Sequence, residues 1–571
     1  MQHQAPASRV IAPRPPSRVM KLARMGSFHQ SRISFMRTLL RRLRSQGWTF
    51  SRPRFDIDDT GVGAAVYTAH GPERAYSLVA FANDLPPEKR SDRVIATEWD
   101  ATFALYDGIP TDDDITRLSQ NVPLQEAGRV SDRELSLSRA NRSVRLWEHV
   151  VDALSRGQQP DAGKVRDVGY LMRTTAVYGS GKFGAADREQ SDTREECRGP
   201  FQVEMLSVYL TRAFVMDLVE HMARLRSPGT AVPLDPALRR RFGIGNSTGL
   251  GMAPFLINHP VLLNHWICAR EEALARVRSL PAASTQEAAS FRNIAARARL
   301  HAEDWTSEHP LQIARLAELR ADMAALETHL QAADLTTDFP WNRLWTWAED
   351  SCSLEGQEQI VSLLMEPYGH LVDGLTSCMA ADEHLSFRID GAMPVAELRR
   401  ITEDVYDWAL DIDWDAREPN ARVWYVSEEK LEPRLGERFE DPIEPYEQPL
   451  CPGRDAARMH VDLVRAPDGP VAGFLLGHPE HRHIARRAQI AARYEYAEIR
   501  DNTIGAAMLP IDLLRAKLSF FGACHFDPRS DRWVRINMFQ HAPFPHELAT
   551  GNVDDWTYPP LEDGPRPEAA S

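Results

Sequence analysis

Cysteine is scarce in this chain of 571 residues, and the pattern of its six cysteines argues against two kinds of protein. They lie far apart and none forms a C-x-x-C pair, which speaks against a zinc ribbon and against a disulfide scaffold. Long hydrophobic runs are missing as well, because no apolar stretch approaches the ~20 residues that a membrane-spanning helix needs. We therefore expect a cytoplasmic protein with reduced thiols and no transmembrane segment.

Acidic residues are absent before Asp56, although the same stretch carries 12 lysines and arginines. The formal net charge of the whole chain is −14, so the remainder is strongly acidic and does not suit non-specific nucleic-acid binding. Residues 1–27 are rich in Pro and Arg and have no secretory h-region, and we expect them to be disordered. An organellar transit peptide or an upstream start codon would give the same composition. The sequence therefore leaves open whether this leader belongs to the mature protein.

A basic amphipathic helix is predicted directly after the leader. Its apolar residues recur at helical spacing and are Ile33, Met36, Leu39, Leu40 and Leu43. Arginines occupy the other face of this helix. Such a helix binds an anionic membrane surface or an acidic partner, or it packs against the acidic body of its own chain.

The predicted fold class is α+β and predominantly helical. Residues 47–108 hold β-branched and aromatic runs with no helical pattern between them, which predicts about four or five antiparallel strands. Helical periodicity dominates from about residue 131 to 395, and strand-like runs return after Pro394. We therefore expect a small N-terminal antiparallel β domain, a large central helical domain and a mixed α/β C-terminal domain. The predicted units are a basic, partly disordered leader with an amphipathic helix (1–46), a β-rich domain (47–130), a helical domain (131–395), a mixed domain (396–558) and a flexible tail (559–571).

The motifs of several common enzyme classes are also missing. The sequence contains no G-x-S-x-G, no H-E-x-x-H and no kinase motif set. Its glycine cluster at 173–189 is not a Walker A loop, because Ala176 and Phe183 replace the required Gly and Ser or Thr. The cluster at 243–260 lacks the preceding strand of a dinucleotide fingerprint, since LDPALRRRF is typical of a short helix that ends at Gly243.

The first Gly-rich segment, residues 173–189, is nevertheless a candidate site for a small anion. Arginine and lysine side chains beside a tight glycine turn bind carboxylates and phosphates, and hydroxyls add hydrogen bonds. Tyr178 or Lys182 can transfer a proton if burial or neighbouring cations lower its pKa. The predicted substrate-binding residues of this segment are Arg173, Thr174, Thr175 and Arg188. A basic surface turn without a ligand would have the same composition.

The second Gly-rich segment, residues 243–260, precedes a predicted helix whose free N–H groups and positive dipole end attract an anion. Its predicted substrate-binding residues are Gly245, Asn246, Ser247 and Thr248. We expect the two segments to converge on one pocket, since convergent loop donors commonly form small-molecule sites. The alternative is a plain helix–loop–helix connection.

Two carboxylates, Glu355 and Glu358, share one face of a predicted helix and are the reserve catalytic bases. Their ordinary role would be a solvated helix start. The histidines His478, His481 and His483 bind a metal only if a carboxylate joins them. They lack the usual i, i+4 spacing, and nearby arginines add positive charge. The sequence therefore predicts no metal and no tightly bound cofactor.

These residues favour an enzyme that acts on a small carboxylate- or phosphate-bearing metabolite by acid–base lyase or isomerase chemistry. The alternative is a non-catalytic scaffold or regulator that docks through its basic N-terminal helix. The expected partners are a small anionic metabolite and no nucleic acid. A homo-oligomer is an open option.

Overall fold

The computed structural model describes residues 10–89, 98–124, 130–179, 194–199, 201–246, 260–305, 310–379, 387–414, 426–427, 430–431, 452–500, 510–523, 525–527, 535–551, 553–554 and 556–558. Within these ranges the fold is a large sheet with helices on both faces, joined to a small helical bundle near the C-terminus.

The strands are β1 (Thr49–Ile57), β2 (Gly63–His70), β3 (Ala75–Ala82), β4 (Ala101–Asp107), β5 (Glu134–Arg142), β6 (Tyr170–Gly179), β7 (Gly243–Asn246), β8 (Val426–Ser427), β9 (Lys430–Leu431), β10 (His525–Asp527) and β11 (Arg535–Met538). Nine of them form one sheet in the order β1-β2-β3-β4-β5-β6-β7-β11-β10, and β8 pairs with β9 alone. Neighbours in the large sheet are antiparallel except β6 and β7, which run parallel.

The α-helices are α1 (Pro16–Val19), α2 (Phe35–Ser45), α3 (Asp112–Asn121), α4 (Trp147–Ser155), α5 (Ala162–Val168), α6 (Gln202–Arg226), α7 (Pro236–Arg240), α8 (Pro260–Arg278), α9 (Thr285–Asp304), α10 (Pro310–Ala332), α11 (Pro340–Ser351), α12 (Leu354–Leu364), α13 (Gly369–Val372), α14 (Val395–Leu410), α15 (Pro452–Arg465), α16 (Val471–Gly477), α17 (Arg482–Arg493) and α18 (Pro510–Phe521). The longest helix of the described residues, α6, is mostly buried and packs across the sheet. Within the described ranges, none of these helices combines the length and the apolar character needed to cross a bilayer.

Both faces of the β2–β4 part of the sheet are buried, and successive side chains of each strand point to opposite sides. On one face, Leu78 and Leu105 join the main hydrophobic core that contains α6. On the other face, Val79 and Ala104 join a smaller core closed by Ile115 of α3. This double burial explains why these strands are almost continuously apolar.

The predicted fold class is wrong, because it separates an N-terminal β domain from a central helical domain and a mixed C-terminal domain. The sheet instead takes strands from all three: β5, β6 and β7 come from the predicted helical domain, and β10 and β11 come from the predicted mixed domain. The register Ile536↔Asn246 and Met538↔Ile244 joins residues almost 300 positions apart. Short strands with remote partners have weak local signals, so periodicity did not reveal them. The domain boundaries at 46, 130, 395 and 558 stay a prediction.

The leader packs against the body of the protein from Arg14 onward, although its composition predicts disorder. Val19, Met20 and Met25 are at most 1 % exposed, and Arg14 is 3 % exposed. The basic helix α2 also packs on its own chain, with both Met36 and Arg37 fully buried. The acidic body supplies the partners that a Pro- and Arg-rich segment lacks locally, which is why composition alone misjudged residues 14–27.

Helices α14 to α17, which we call the C-terminal bundle, have a hydrophobic core of their own. Leu398 and Tyr406 of α14 pack there with Met459 of α15 and Ile484 of α17. An ion pair between Arg487 and Glu498 closes one side of the bundle, and the Tyr406 hydroxyl donates to the same carboxylate at 3.0 Å.

Candidate functional site

The two Gly-rich segments leave the sheet next to each other. Arg173 of β6 lies opposite Gly245 of β7, and Thr174 lies opposite Asn246. Because β6 and β7 are parallel, their carboxyl ends point towards the same edge of the sheet. Ligands of open sheets commonly bind outside the carboxyl ends of parallel strands. We call this edge, defined by residues 173–179 and 245–246, the β6–β7 edge.

The short helix predicted directly before the second Gly-rich segment is confirmed as α7, with Asp235 as its N-cap. The segment itself, predicted as a loop, begins with a strand, because Gly243–Asn246 forms β7. Gly245 is needed there, because a Cβ atom would lie 2.7 Å from the ring of Tyr170. The Tyr170 hydroxyl in turn lies 3.3 Å from Nη2 of Arg145. Gly245 therefore leaves room for the Tyr170 ring to lie against β7, and the hydroxyl of that ring contacts the guanidinium of Arg145.

Two predicted substrate-binding residues are enclosed at this edge. Arg173 is 3 % exposed and Thr174 is fully buried, and the Thr174 hydroxyl donates to the Gly245 carbonyl at 3.3 Å. This hydrogen bond links β6 to β7 at the point where both Gly-rich segments begin. The buried guanidinium of Arg173 places a permanent positive charge at the same level of the sheet, since arginine stays protonated in proteins.

The remaining predicted residues of the two segments are located as follows. Thr175 and Tyr178 belong to strand β6, and Asn246 ends β7. Lys182, Arg188, Ser247 and Thr248 lie outside the described residues. Their roles as proton donors and anion ligands stay predictions.

Glu355 and Glu358 lie on α12 as the sequence predicts, but they are buried in ion pairs rather than solvated. Glu355 faces Nε of Arg515 at 3.1 Å. Arg14 and Arg270 bring positive charge to Glu358 and, against the effect of its burial, lower its pKa to about 2. A carboxylate with such a pKa is a weak base at neutral pH, and the catalytic role of both residues stays a prediction.

A buried ion cluster ties the leader to the helical body. Glu358 accepts from Arg14 and Arg24, each at 3.0 Å, and also pairs with Arg270. Arg14 additionally donates to both oxygens of Glu271, at 2.7 and 2.8 Å. Burial disfavours the charged guanidinium of Arg14, but the two carboxylates of Glu271 and Glu358 outweigh this cost and raise its pKa above the usual range.

A second ion cluster holds α2 and the segment before it. Its three arginines face three carboxylates, and the closest contacts are 2.6 Å for Arg37–Glu366, 2.8 Å for Arg32–Asp373 and 2.9 Å for Arg41–Asp554. Arg32, Arg37 and Arg41 of the predicted basic face are thus used inside the molecule, whereas Arg44 is exposed. The alternative of a scaffold that docks through this helix stays a prediction.

A small cavity beside this cluster contains residues that the sequence did not single out. Among its lining residues are His29, His301, Gln359 and Tyr558. The His29 ring stacks on Tyr558 with centroids 4.1 Å apart, and the Gln359 amide donates to the Tyr558 hydroxyl at 2.5 Å. The cavity offers about 30 Å³ to the centres of water-sized molecules, which is room for about two waters.

The His29 imidazole is kept neutral in this cavity. Burial lowers its pKa to about 4, although the carboxylate of Glu366, 3.2 Å from Nε2, favours the charged form. Glu366 itself stays ionised, because Arg37 and the hydrogen bond from His29 outweigh its burial and lower its pKa far below the usual range. A histidine oriented by a carboxylate is a usual general base, but this cavity is too small for a metabolite.

Lys517 of α18 is a further buried titratable group that no motif marks. Its side chain is 1 % exposed, and burial lowers the pKa of its amine to about 7. Half-neutral lysines of this kind can act as bases or nucleophiles. In sequence its only signal is a lysine among apolar residues of a helix.

Four groups in the C-terminal bundle come together although sequence reasoning rejected a metal there. Asp462, His478, Glu480 and His481 each offer one ligand atom, and these atoms all lie within 4.8 Å of one another. The sequence did not indicate that Asp462 is a neighbour of these histidines, because Asp462 lies on α15 and approaches them only in the folded protein.

Comparison of the chain with protein-family models, with curated proteins and with solved structures finds no match, so the geometry described above carries the functional argument alone.

Proposed function

We propose that this protein is an enzyme that binds a small carboxylate- or phosphate-bearing metabolite at the β6–β7 edge and acts on it by acid–base chemistry of the lyase or isomerase type. The observation that carries the proposal is the parallel pairing of β6 and β7, with Arg173 opposite Gly245 and Thr174 opposite Asn246.

The pairing supports convergence of the two Gly-rich segments. Among the strand pairs of the described residues, β6 and β7 alone are parallel, and the chain leaves both at the same edge. Residues 180–193 and 247–259 follow directly on these strands. The two segments therefore begin on neighbouring strands that run in the same direction.

The charge of the edge supports an anionic ligand. Arg173 lies on β6, and Lys182 and Arg188 follow it within the same segment. Arg145 adds a further guanidinium, held 3.3 Å from the Tyr170 hydroxyl. Cations and backbone N–H groups of Gly-rich turns bind carboxylates and phosphates together. In this proposal the arginines hold the ligand, and Tyr178 or Lys182 transfers the proton.

A thermal-shift experiment on the purified full chain tests the proposal. Inorganic phosphate, dicarboxylates, sugar phosphates and coenzyme A esters are each titrated, because a ligand of the native state raises the melting temperature by mass action. We expect one class to give a saturable rise, and we expect Lys182→Ala to weaken that ligand by about tenfold or more, since an anion loses a charge-assisted partner.

The matched control is Lys164→Ala, which removes the same charge from the exposed surface of α5. It should bind the anion as the unchanged protein does. The proposal fails if no anion gives a saturable shift, or if the two lysine variants lose affinity equally.

A further inference from the structure

The C-terminal bundle contains a cluster of nitrogen and oxygen ligands that lies outside the β6–β7 edge. Nε2 of His481 is 2.8 Å from a carboxylate oxygen of Asp462. Nδ1 of His478 is 3.7 Å from the same oxygen and 3.4 Å from Glu480. We call these four residues the His–carboxylate cluster.

Its dimensions suit a four-coordinate metal ion. Zinc binds imidazole nitrogen and carboxylate oxygen at about 2.0–2.2 Å, and the corners of such a tetrahedron lie about 3.3–3.5 Å apart. The three measured separations of the cluster bracket this spacing, and all its ligand atoms lie within 4.8 Å of one another. Only small rotamer adjustments would therefore bring the four atoms around one ion.

The ligands come from separate parts of the bundle. Asp462 lies in the last turn of α15, whereas His478, Glu480 and His481 follow α16 in a short 3₁₀ turn. Phe474 of α16 packs against both imidazoles, with centroids 4.9 Å from His478 and 6.0 Å from His481. The aromatic ring thus fixes the two histidines on the same side of the turn.

Access to the cluster does not require unfolding. The His481 side chain is 8 % exposed and lies at the buried side of the cluster. The side chains of His478 and Glu480 are 38 % and 59 % exposed and face solvent. A hydrated cation can therefore reach the cluster from solvent and exchange its waters for protein ligands one at a time.

Two of the three arginines that follow in sequence, Arg486 and Arg487, do not occupy the cluster. Arg487 turns to Glu498, and Arg486 donates to the Phe387 carbonyl at 3.2 Å and covers the Phe387 ring. His483, which sequence spacing groups with the other histidines, faces Asp455 at 3.4 Å instead. The fold thus directs most of the positive charge that argues against a metal in the sequence to other partners, and Arg482 is exposed to solvent.

We propose that Asp462, His478, Glu480 and His481 form a binding site for one divalent transition-metal ion, with zinc as the best match to two imidazoles and two carboxylates. The ion clamps the 478–481 turn to α15 and so stabilises the bundle. The site does not depend on the function proposed for the β6–β7 edge.

Metal binding is measured on the untagged full-length chain after treatment with a chelator and gel filtration. Zn²⁺ is titrated in competition with a chromophoric chelator, and Co²⁺ is added separately because a tetrahedral nitrogen–oxygen site gives a strong visible absorption. We expect each chain to bind one zinc ion tightly. His481→Ala should lower its affinity by at least about tenfold, and Asp462→Asn should do so with less risk to folding.

The matched control is His460→Ala. His460 lies on the same helix as Asp462 and pairs with one carboxylate, Glu403, at 3.0 Å, but it has no second histidine beside it. The His460→Ala variant should still bind one zinc ion tightly and should give the same cobalt absorption spectrum as the unchanged protein. Circular dichroism and the melting temperature of each metal-free variant show whether the bundle is folded.

Two results would overturn the proposal. One is the absence of a tightly bound zinc ion in the unchanged, folded protein. The other is a tightly bound zinc ion that survives both Asp462→Asn and His481→Ala, because the ion would then be bound elsewhere among the 19 histidines of the chain.

Discussion

The N-terminal segment, residues 10–45, and the C-terminal bundle are stabilised in different ways. The segment inserts arginines into the body of the protein, where they meet buried carboxylates such as Glu358 and Glu366. The bundle buries apolar side chains in a core of its own and leaves most ion pairs on its surface, as with Arg400 and Asp404, both 64 % exposed. The segment therefore depends on remote partners, whereas the bundle supplies its own.

The difference has an energetic consequence. A buried ion pair is costly to assemble but far more costly to break on one side, because the remaining charge has no water to solvate it. An exposed pair is screened and contributes little. Substitutions of the buried charges of the N-terminal clusters should consequently have large effects, and substitutions of the exposed charges of the bundle small ones.

The largest expected effect is that of Glu358→Gln. The change leaves Arg14, Arg24 and Arg270 facing a neutral amide, which should cost about 3–5 kcal/mol of unfolding free energy. Glu403→Gln in the bundle is the matched control, because Glu403 is 47 % exposed, and it should cost less than about 1 kcal/mol. Urea unfolding measures both, and equal losses would contradict the comparison.

Acid should destabilise the N-terminal segment in two steps. The pKa of His29 is lowered to about 4, so the unfolded chain takes up a proton that the folded one refuses, and stability falls from pH 6.5 to about 4. The pKa of Glu358 is lowered to about 2, so its contribution is present above pH 4.5 and is lost as the pH falls towards 2. Each step amounts to about 3 kcal/mol at most.

Urea midpoints between pH 7 and 3 measure these steps. His29→Asn should flatten the curve between pH 6.5 and 4 and leave the lower step unchanged. If the variant and the unchanged protein lose stability in parallel over that range, His29 is not the group responsible.

Steric packing gives the next effect. A Cβ atom at Gly26 would lie 2.2 Å from the Arg515 carbonyl oxygen and 2.6 Å from the Ala516 amide, both backbone atoms of α18. Gly26→Ala should therefore cost about 1–3 kcal/mol through overpacking. Gly473→Ala in α16 meets no atom within 4 Å and should be neutral or stabilise by up to about 1 kcal/mol. Thermal unfolding of the two variants compares them directly.

The smallest effect is expected for Arg400→Ala. Its i, i+4 pair with Asp404 is 2.9 Å long but lies in solvent, so about 0.3–0.5 kcal/mol should be lost, and less at high salt. A loss above about 1 kcal/mol would mean that exposed pairs matter in the bundle as well, and the contrast between the two regions would then disappear.

Some of the fold was predictable because its signals are local. The strands β1 to β4 lie within residues 47–108, where β-branched and aromatic runs predict four or five antiparallel strands, and the buried helix α6 has a long apolar sequence. In contrast, β7 is four residues long with two glycines, and it becomes a strand through its partners Arg173 and Asn537. No window of sequence contains those partners, so the sheet was mistaken for part of a separate domain.

The candidate sites divide in the same way. Glycine spacing and charge indicated the two segments that begin at the β6–β7 edge. Helical spacing indicated that Glu355 and Glu358 share one face of a helix. These sequence patterns did not indicate that Glu358 is enclosed by arginines from the leader, more than 300 residues away. The His–carboxylate cluster was missed for a similar reason, since Asp462 reaches His478 and His481 only after α15 and α16 have packed.

The sequence by itself determined where helices and early strands form, that the N-terminus is basic and the body acidic, and which glycines and cations lie near each other along the chain. Helices and strands depend on the pattern of a few neighbouring residues, and net charge is a sum over many residues. Periodicity and composition therefore reveal both. The tertiary structure alone decided which opposite charges meet, which short strand joins the sheet and which carboxylate faces the histidines. Such pairings depend on distances in space between remote residues, and burial then sets their strength through the local dielectric.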